Sequence, residues 1–222
     1  MPCSILLDAK ITLTFYQAVS LRDAAATCSW HIELMTQRSQ SIVLIGMMGA
    51  GKSAVGLCLK SRTGFPQFDT DEMIRSKFRM SISDIFSKLG EDKFREAETE
   101  VLQKLSSAQR AIIVTGGGIV LRKENLELLK KLGAVVWLEA DVATLFKRAA
   151  QTGDRPLLHC KNPREAFTKT LRARLSLYAK IADIRLDTSA LTDDEVALAI
   201  LSRFKKSRGN QHSVQSNDYD DD

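Results

Sequence analysis

Cysteine is scarce and scattered. Cys3, Cys28, Cys58 and Cys160 form no Cys-x-x-Cys pair, and His31, His159 and His212 are equally dispersed, so no zinc site is expected. A chain of 222 residues has no need of disulfides, and this usage fits a reducing compartment, with the cytosol as the default location. Aromatic residues make up only 6%, and no run of five or more Lys or Arg occurs, so nucleic acid is not expected as a partner. Long apolar runs are also missing. The longest uncharged stretch near the N-terminus, Ile11 to Leu21, is too short to cross a bilayer. The first 34 residues lack the positive start, apolar centre and small-residue cleavage site of a secretory signal, and their three acidic residues count against a transit peptide.

What remains is an ordinary globular composition, 44% hydrophobic, in a chain long enough for one domain with appendages. Residues 41–204 hold 26 of the 32 basic and 20 of the 27 acidic side chains, a mild positive surplus that suits an anionic ligand without identifying one. Residues 1–40 read as an extension, flexible or outside the native start, with Met35 as a candidate first residue. Residues 205–222 are polar, end in Asp-Tyr-Asp-Asp-Asp, and read as a disordered acidic tail.

Between these ends, short apolar runs alternate with helical stretches. Strands are expected at Ser41–Ile45, Ala111–Thr115, Ala134–Leu138 and Ile184–Leu186. Helices are expected at Lys52–Arg62, Ser81–Leu89, Glu91–Leu105, Glu124–Leu132, Val142–Ala150, Arg164–Ala179 and Thr192–Phe204, the last opened by a Thr192/Glu195 capping box. Gln151–Pro163, with Gly153 and two prolines, reads as a loop that closes over bound ligands. The alternation implies parallel βαβ units with helices on both faces of the sheet.

Gly46-Met47-Met48-Gly49-Ala50-Gly51-Lys52-Ser53 satisfies G-x-x-x-x-G-K-[ST] between an expected strand and an expected helix. Glycines let the backbone curl so that successive N–H groups face phosphate oxygens, and the helix start adds positive potential. Lys52 is expected to reach the β- and γ-phosphates, and Ser53 to ligate Mg²⁺. No Asn-Lys-x-Asp base reader of a GTPase is present, and Ala111–Thr115 runs into Gly116-Gly117-Gly118 rather than the aspartate of a large ATPase. A small-molecule kinase is what remains.

On the acceptor side, Phe68-Asp69-Thr70-Asp71 reads as a strand-like segment in which residues two apart share a face, so both carboxylates would point at the phosphate loop. Asp69 would hold Mg²⁺, through water, and Asp71 would accept a hydroxyl proton. The plainer reading is that either aspartate caps a helix starting near Glu72. Arg95 lies in the charged run Glu91–Glu100, where pairing with Glu91, Glu98 or Asp92 would equally explain a solvated face. Arg174, near Arg172 and Lys169, is similarly anonymous, and Tyr178, Phe86 and Phe94 read as packing residues.

Taken in order, the phosphate loop, Asp69-Thr70-Asp71, Phe94-Arg95-x-x-Glu98, Gly116-Gly117-Gly118, Arg155-Pro156-Leu157-Leu158, Arg174-x-x-x-Tyr178 and Asp187-Thr188-Ser189 resemble the shikimate kinases across residues 41–204. The resemblance implies a nucleoside-monophosphate-kinase-like P-loop fold, a three-layer α/β/α sandwich around a five-stranded parallel sheet. It implies transfer of the ATP γ-phosphate to the 3-hydroxyl of shikimate by a cytosolic monomer using one Mg²⁺. By the same resemblance Gly49, Ala50, Gly51, Lys52, Ser53 and Ala54 bind ATP, with Arg148 and the 187–189 loop beside the adenine. Arg155, in a lid over 151–163, reaches the phosphates, and Lys52, Asp71 and Arg155 carry catalysis. In a substrate region over 71–105, Asp71 meets the acceptor hydroxyls. Arg95 and Arg174 clamp the acceptor carboxylate with Glu98 in support, while Gly116–Gly118 line the substrate through backbone N–H groups. Ser53 and Asp69 are the metal ligands. Guanidinium forks suit a carboxylate, and a neutral polyol would leave both arginines unpaired. Two other readings remain open: a kinase of another small acid, such as gluconate, and a binding protein that has lost catalysis. The intact set Lys52, Ser53, Asp69 and Asp71 speaks against the second.

Overall fold

A computed structural model describes residues 41–151 and 160–212. Five strands form one parallel sheet: β1 (Ser41–Ile45), β2 (Gln67–Asp69), β3 (Ile112–Val114), β4 (Gly133–Glu139) and β5 (Ile184–Asp187), in the spatial order β2-β3-β1-β4-β5. Seven α-helices accompany them among the described residues: α1 (Lys52–Thr63), α2 (Thr70–Phe78), α3 (Ile82–Lys104), α4 (Lys123–Leu132), α5 (Val142–Gln151), α6 (Pro163–Ile181) and α7 (Asp193–His212).

β1 is central because both of its faces are covered. Its SIVLI run is completely buried, as an all-parallel sheet between helical layers requires. The period of two then sorts the strand residues into two cores. Val43, Ile45, Ile113, Val135 and Trp137 pack on one side with α3 and α4, and Ile42, Leu44, Ile112, Val114, Val136 and Leu138 pack on the other with α1, α5 and α7. Helix α6 contributes to both, with Phe167 and Leu171 in one core and Tyr178 and Ile181 in the other. This is the three-layer α/β/α arrangement expected from the alternation of apolar runs.

Local details differ from the expectation in instructive ways. Gly90 (φ 84°, ψ 166°) breaks α3 into the two segments read as separate helices. The Thr192/Glu195 capping box forms as read, with Glu195 N–H donating to Thr192 Oγ1 at 3.3 Å and Thr192 N–H to Glu195 Oε2 at 2.8 Å. Helix α7, however, continues to His212 and not to Phe204. Lys205, Lys206 and Arg208 are good helix formers and no proline follows them, so polarity alone does not end the helix there. The extension over 1–40, the remaining tail at 213–222 and the core of the expected lid at 152–159 lie outside the described residues. Among the described residues no helix is long and apolar enough to cross a membrane.

The strand order decides where a site can form. Placing β1 beside β3 brings the loops leaving their carboxyl ends together, and ligands of open parallel sheets bind outside those ends where the strand order reverses.

Candidate active site

The loop after β1 is shaped by glycines that nothing larger could replace. Gly46, Gly49 and Gly51 have φ of 139°, 83° and 83°. A Cβ on Gly46 would collide with the carbonyl oxygen of Leu138, and one on Gly49 with that of Leu145. The loop therefore lies flush against β4 and α5. Lys52, the first residue of α1, folds back over it and donates from Nζ to the carbonyl oxygens of Gly46 at 2.9 Å and Met47 at 3.0 Å. No side chain caps α1, so the helix start adds positive potential at this position. Gly49, Gly51, Lys52, Ser53 and Ala54 line the adjoining cavity. Ala50 does not: it is fully buried in the apolar core, and its N–H donates to Met47 O at 3.2 Å.

Asp69 ends β2 and does two things at once. Its Oδ1 accepts from the N–H groups of Asp71 at 2.9 Å and Glu72 at 3.3 Å, which makes it the N-cap of α2. Its Oδ2 faces Ser53 Oγ at 3.5 Å. The cap thus occupies one oxygen of the carboxylate and leaves the other beside Ser53. Asp71 does not share a strand with Asp69, as the sequence led one to expect: α2 already begins at Thr70, and Asp71 sits in its first turn. The sharp strand-to-helix turn aims Asp71 at the cavity.

Among the described residues no cluster of three or more His, Cys, Asp or Glu is present. Mg²⁺ keeps several waters and takes one or two protein oxygens plus substrate phosphates. The Ser53 hydroxyl and Asp69 carboxylate, side by side, fit that requirement.

Across the cavity, α3 presents Arg95. The expected i,i+3 and i,i+4 partners are real: Nη1 donates to Glu98 Oε2 at 2.8 Å, and Nη2 and Nε donate to Glu91 Oε1 at 2.8 and 3.1 Å. The face is not solvated, though. The Arg95 side chain is 11% exposed and that of Glu98 1%. The guanidinium also stacks near Phe94 and Phe86, with Cζ 5.4 and 5.8 Å from the ring centroids. Burial, aided by the charge on Asp71, drives the Glu98 carboxyl up to about 7 against the pull of Arg95.

Gly116, Gly117 and Gly118 follow β3, and none has positive φ. Their smallness serves the neighbouring side chains. A Cβ on Gly116 would stand 2.5 Å from Asp71 Oδ1, and one on Gly117 would lie 3.3 Å from Gly46 O and 3.5 Å from Arg174 Nη1. One on Gly118 would come within 2.7 Å of Arg95 Cζ. All three glycines line the cavity, and their lack of side chains also lets Asp71, Arg174 and Arg95 approach the strand end.

Lys52, Ser53, Asp69, Asp71, Arg95, Arg174 and Arg148 all line one cavity of about 1000 Å³. Arg148 of α5 donates from Nη1 to Thr188 Oγ1 at 3.2 Å and from Nη2 to Thr188 O at 3.0 Å, tying that helix to the 187–189 loop. Arg155 lies outside the described residues.

A family profile described as Shikimate kinase matches residues 48–205, most of the chain. The chain belongs to the shikimate kinase family. It is 44% identical over 167 residues to the shikimate kinase of Thermodesulfovibrio yellowstonii, a match spanning 75% of this chain and 96% of the relative. It is 38% identical over 168 residues to that of Symbiobacterium thermophilum, covering 75% and 97%. Among solved structures, the shikimate kinase of Acinetobacter baumannii in complex with shikimate superposes with a TM-score of 0.73 at 34% identity, covering 79% of this chain and 97% of that one.

Tyr178 and Thr70 belong to motifs quoted above, but their part in fastening the glycine run does not show in the sequence. Tyr178, fully buried against Trp137, donates from its hydroxyl to Gly117 O at 2.5 Å. Burial pushes this phenol up to about 12, so it stays a donor at any working pH. Thr70 Oγ1 accepts from Gly116 N–H at 3.1 Å, which fastens the same loop from the side of α2. A buried tyrosine on an apolar helical face looks like core; its position one turn beyond Arg174 was the available signal. Tyr178→Phe is expected to leave Gly117 O without its donor and to lower stability by about 1–3 kcal/mol in denaturant melts. It should also raise the acceptor KM with little change in ATP affinity. Unchanged stability would remove this anchor from the account.

Proposed function

We propose that this chain transfers the γ-phosphate of ATP to the 3-hydroxyl of shikimate, giving shikimate 3-phosphate and ADP in the route to chorismate and the aromatic amino acids. The observation that carries the reading is the single cavity in which a phosphate-binding loop faces a carboxylate and two arginines. Phosphoryl transfer asks for position and charge neutralisation more than covalent chemistry.

Gly49, Gly51, Lys52, Ser53 and Ala54 cradle the nucleotide phosphates, and the Lys52 ammonium, held in the loop by the carbonyls of Gly46 and Met47, meets the transferring group. Arg148, braced by Thr188, borders the nucleotide base. Arg95 and Arg174 bind the acceptor carboxylate, and Gly116–Gly118 border the acceptor. Asp71, aimed into the cavity from the first turn of α2, takes the proton of the attacking hydroxyl. Ser53 and Asp69 would hold Mg²⁺, which when bound offsets charge on the phosphates. Arg155 is assigned to the phosphates by family likeness. The same reading makes the enzyme a cytosolic monomer.

The test is ADP release with and without shikimate, run beside a panel of polyhydroxy acids that includes gluconate. ADP release that depends on shikimate and on Mg²⁺ supports the reading. Release driven equally well by gluconate, or by no acceptor, rejects the acceptor assignment.

A further inference from the structure

Glu98 is fully buried below the acceptor pocket, and its two oxygens are treated differently. Oε2 accepts from Arg95 Nη1 at 2.8 Å, whereas Oε1 has no hydrogen-bond partner. A buried carboxylate oxygen in that state is costly unless it carries a proton. Oε1 points towards Gly116: the place a Cβ on that glycine would occupy lies 3.3 Å from Glu98 Oε1 and 2.5 Å from Asp71 Oδ1. Two carboxyl groups, one from α2 and one from α3, therefore converge on the same glycine.

We infer that Glu98 is a positioning residue held as the neutral acid, its Oε1–H directed at Asp71, so that the acceptor pocket carries one ionised carboxylate and not two. The inference rests on the function proposed above only for its consequences, not for the proton itself. On the acid side of its titration Glu98 keeps its proton while the hydroxyl proton of the acceptor passes to Asp71.

The groups facing Glu98 are Arg95 on its own helix, Asp71 from α2, and Arg174 and Tyr178 from α6. The two arginines favour the ionised form, while burial and the Asp71 charge favour the neutral one, and burial is the largest of these effects. A neutral Glu98 leaves the guanidinium of Arg95 opposed only by Glu91, whose side chain is 59% exposed, and thus able to attract an anionic acceptor. An ionised Glu98 would cancel that attraction and repel the acceptor directly.

Carboxyl-carbon NMR of the free full-length protein tests the proton placement, the Glu98 resonance being assigned by its loss in Glu98→Gln. It is expected to titrate close to pH 7, well above an ordinary glutamate, and lower in Asp71→Asn. Calorimetric binding of shikimate tests the consequence. Glu98→Gln, a neutral isostere, should bind shikimate as wild type does on the acid side of that titration, and should lack the weakening that wild type shows on the alkaline side. ATP binding should show no such difference. A Glu98 carbon titrating in the ordinary range, or unmoved in Asp71→Asn, overturns the inference. So does a Glu98→Gln protein whose shikimate binding is weakened equally at every pH, the result expected of a purely anionic anchor for Arg95. If the carbon titrates as expected while shikimate binds at no pH, the proton placement stands and the proposed function falls.

Discussion

Lys52→Ala is expected to lower kcat/KM by at least about a thousandfold, the scale on which preorganised charge acts in phosphoryl and acyl transfer. The lysine is 9% exposed, and its ammonium is fixed by two backbone carbonyls of the loop it serves. The charge is therefore in place before any nucleotide arrives and needs no reorganisation at the moment of transfer. Alanine removes that charge together with the donor shared by Gly46 and Met47. Arginine would not rescue it, because its planar fork does not match two carbonyls contacted by a compact ammonium. Steady-state kinetics with a thermal melt as control provide the check. A folded variant retaining more than about a tenth of wild-type kcat/KM, a loss of less than about 1.4 kcal/mol, would show that transfer does not depend on this loop.

Gly118→Ala is expected to raise the acceptor KM by about a hundredfold while nucleotide affinity stays near wild type, since displacements on the scale of 1 Å can cost that much. The added methyl would press on three atoms of the Arg95 guanidinium, with Cζ and Nη2 each at 2.7 Å and Nη1 closer still. The guanidinium cannot simply retreat. Phe86 and Phe94 lie near it, and Glu91 and Glu98 hold its remaining donors. Gly117→Ala supplies the contrast, because its nearest neighbours stand at 3.3–3.5 Å and need give only slightly. Equal effects of the two substitutions, or a Gly118→Ala protein that loses ATP and acceptor together, would contradict the arrangement.

The phosphate loop was legible because its residues have a local reason to be where they are. Glycines at positive φ and a lysine at the helix start need no knowledge of the rest of the chain. The sheet was legible for a related reason, since strands covered on both faces read as continuous apolar runs. Arg95 was harder. Its pairing with Glu91 and Glu98 was predictable from spacing, but the same spacing serves an exposed helix, and only the packing of Phe86, Phe94 and the strand end turns it inward. Asp71 faces the cavity from a helix start at Thr70 and not from a strand, a turn that the alternation of residues does not show. Composition marks the polarity of the C-terminal segment but not the end of α7, because polarity does not unwind a helix. The spacing from Arg174 marks Tyr178, but the role of its hydroxyl does not show in the sequence, since its partner is a backbone carbonyl 61 residues away.

Helix α6 carries Leu171 into one apolar layer and Tyr178 into the other, with Arg174 between them. The molecule thus acts as a calliper whose jaws are set by the thickness of its own interior. Swelling or thinning either layer by a methylene would alter the span between acceptor grip and nucleotide cradle without touching a single group that contacts substrate. Substitutions at Phe167 or Ile181 should consequently register in catalytic geometry, and not merely in melting temperature.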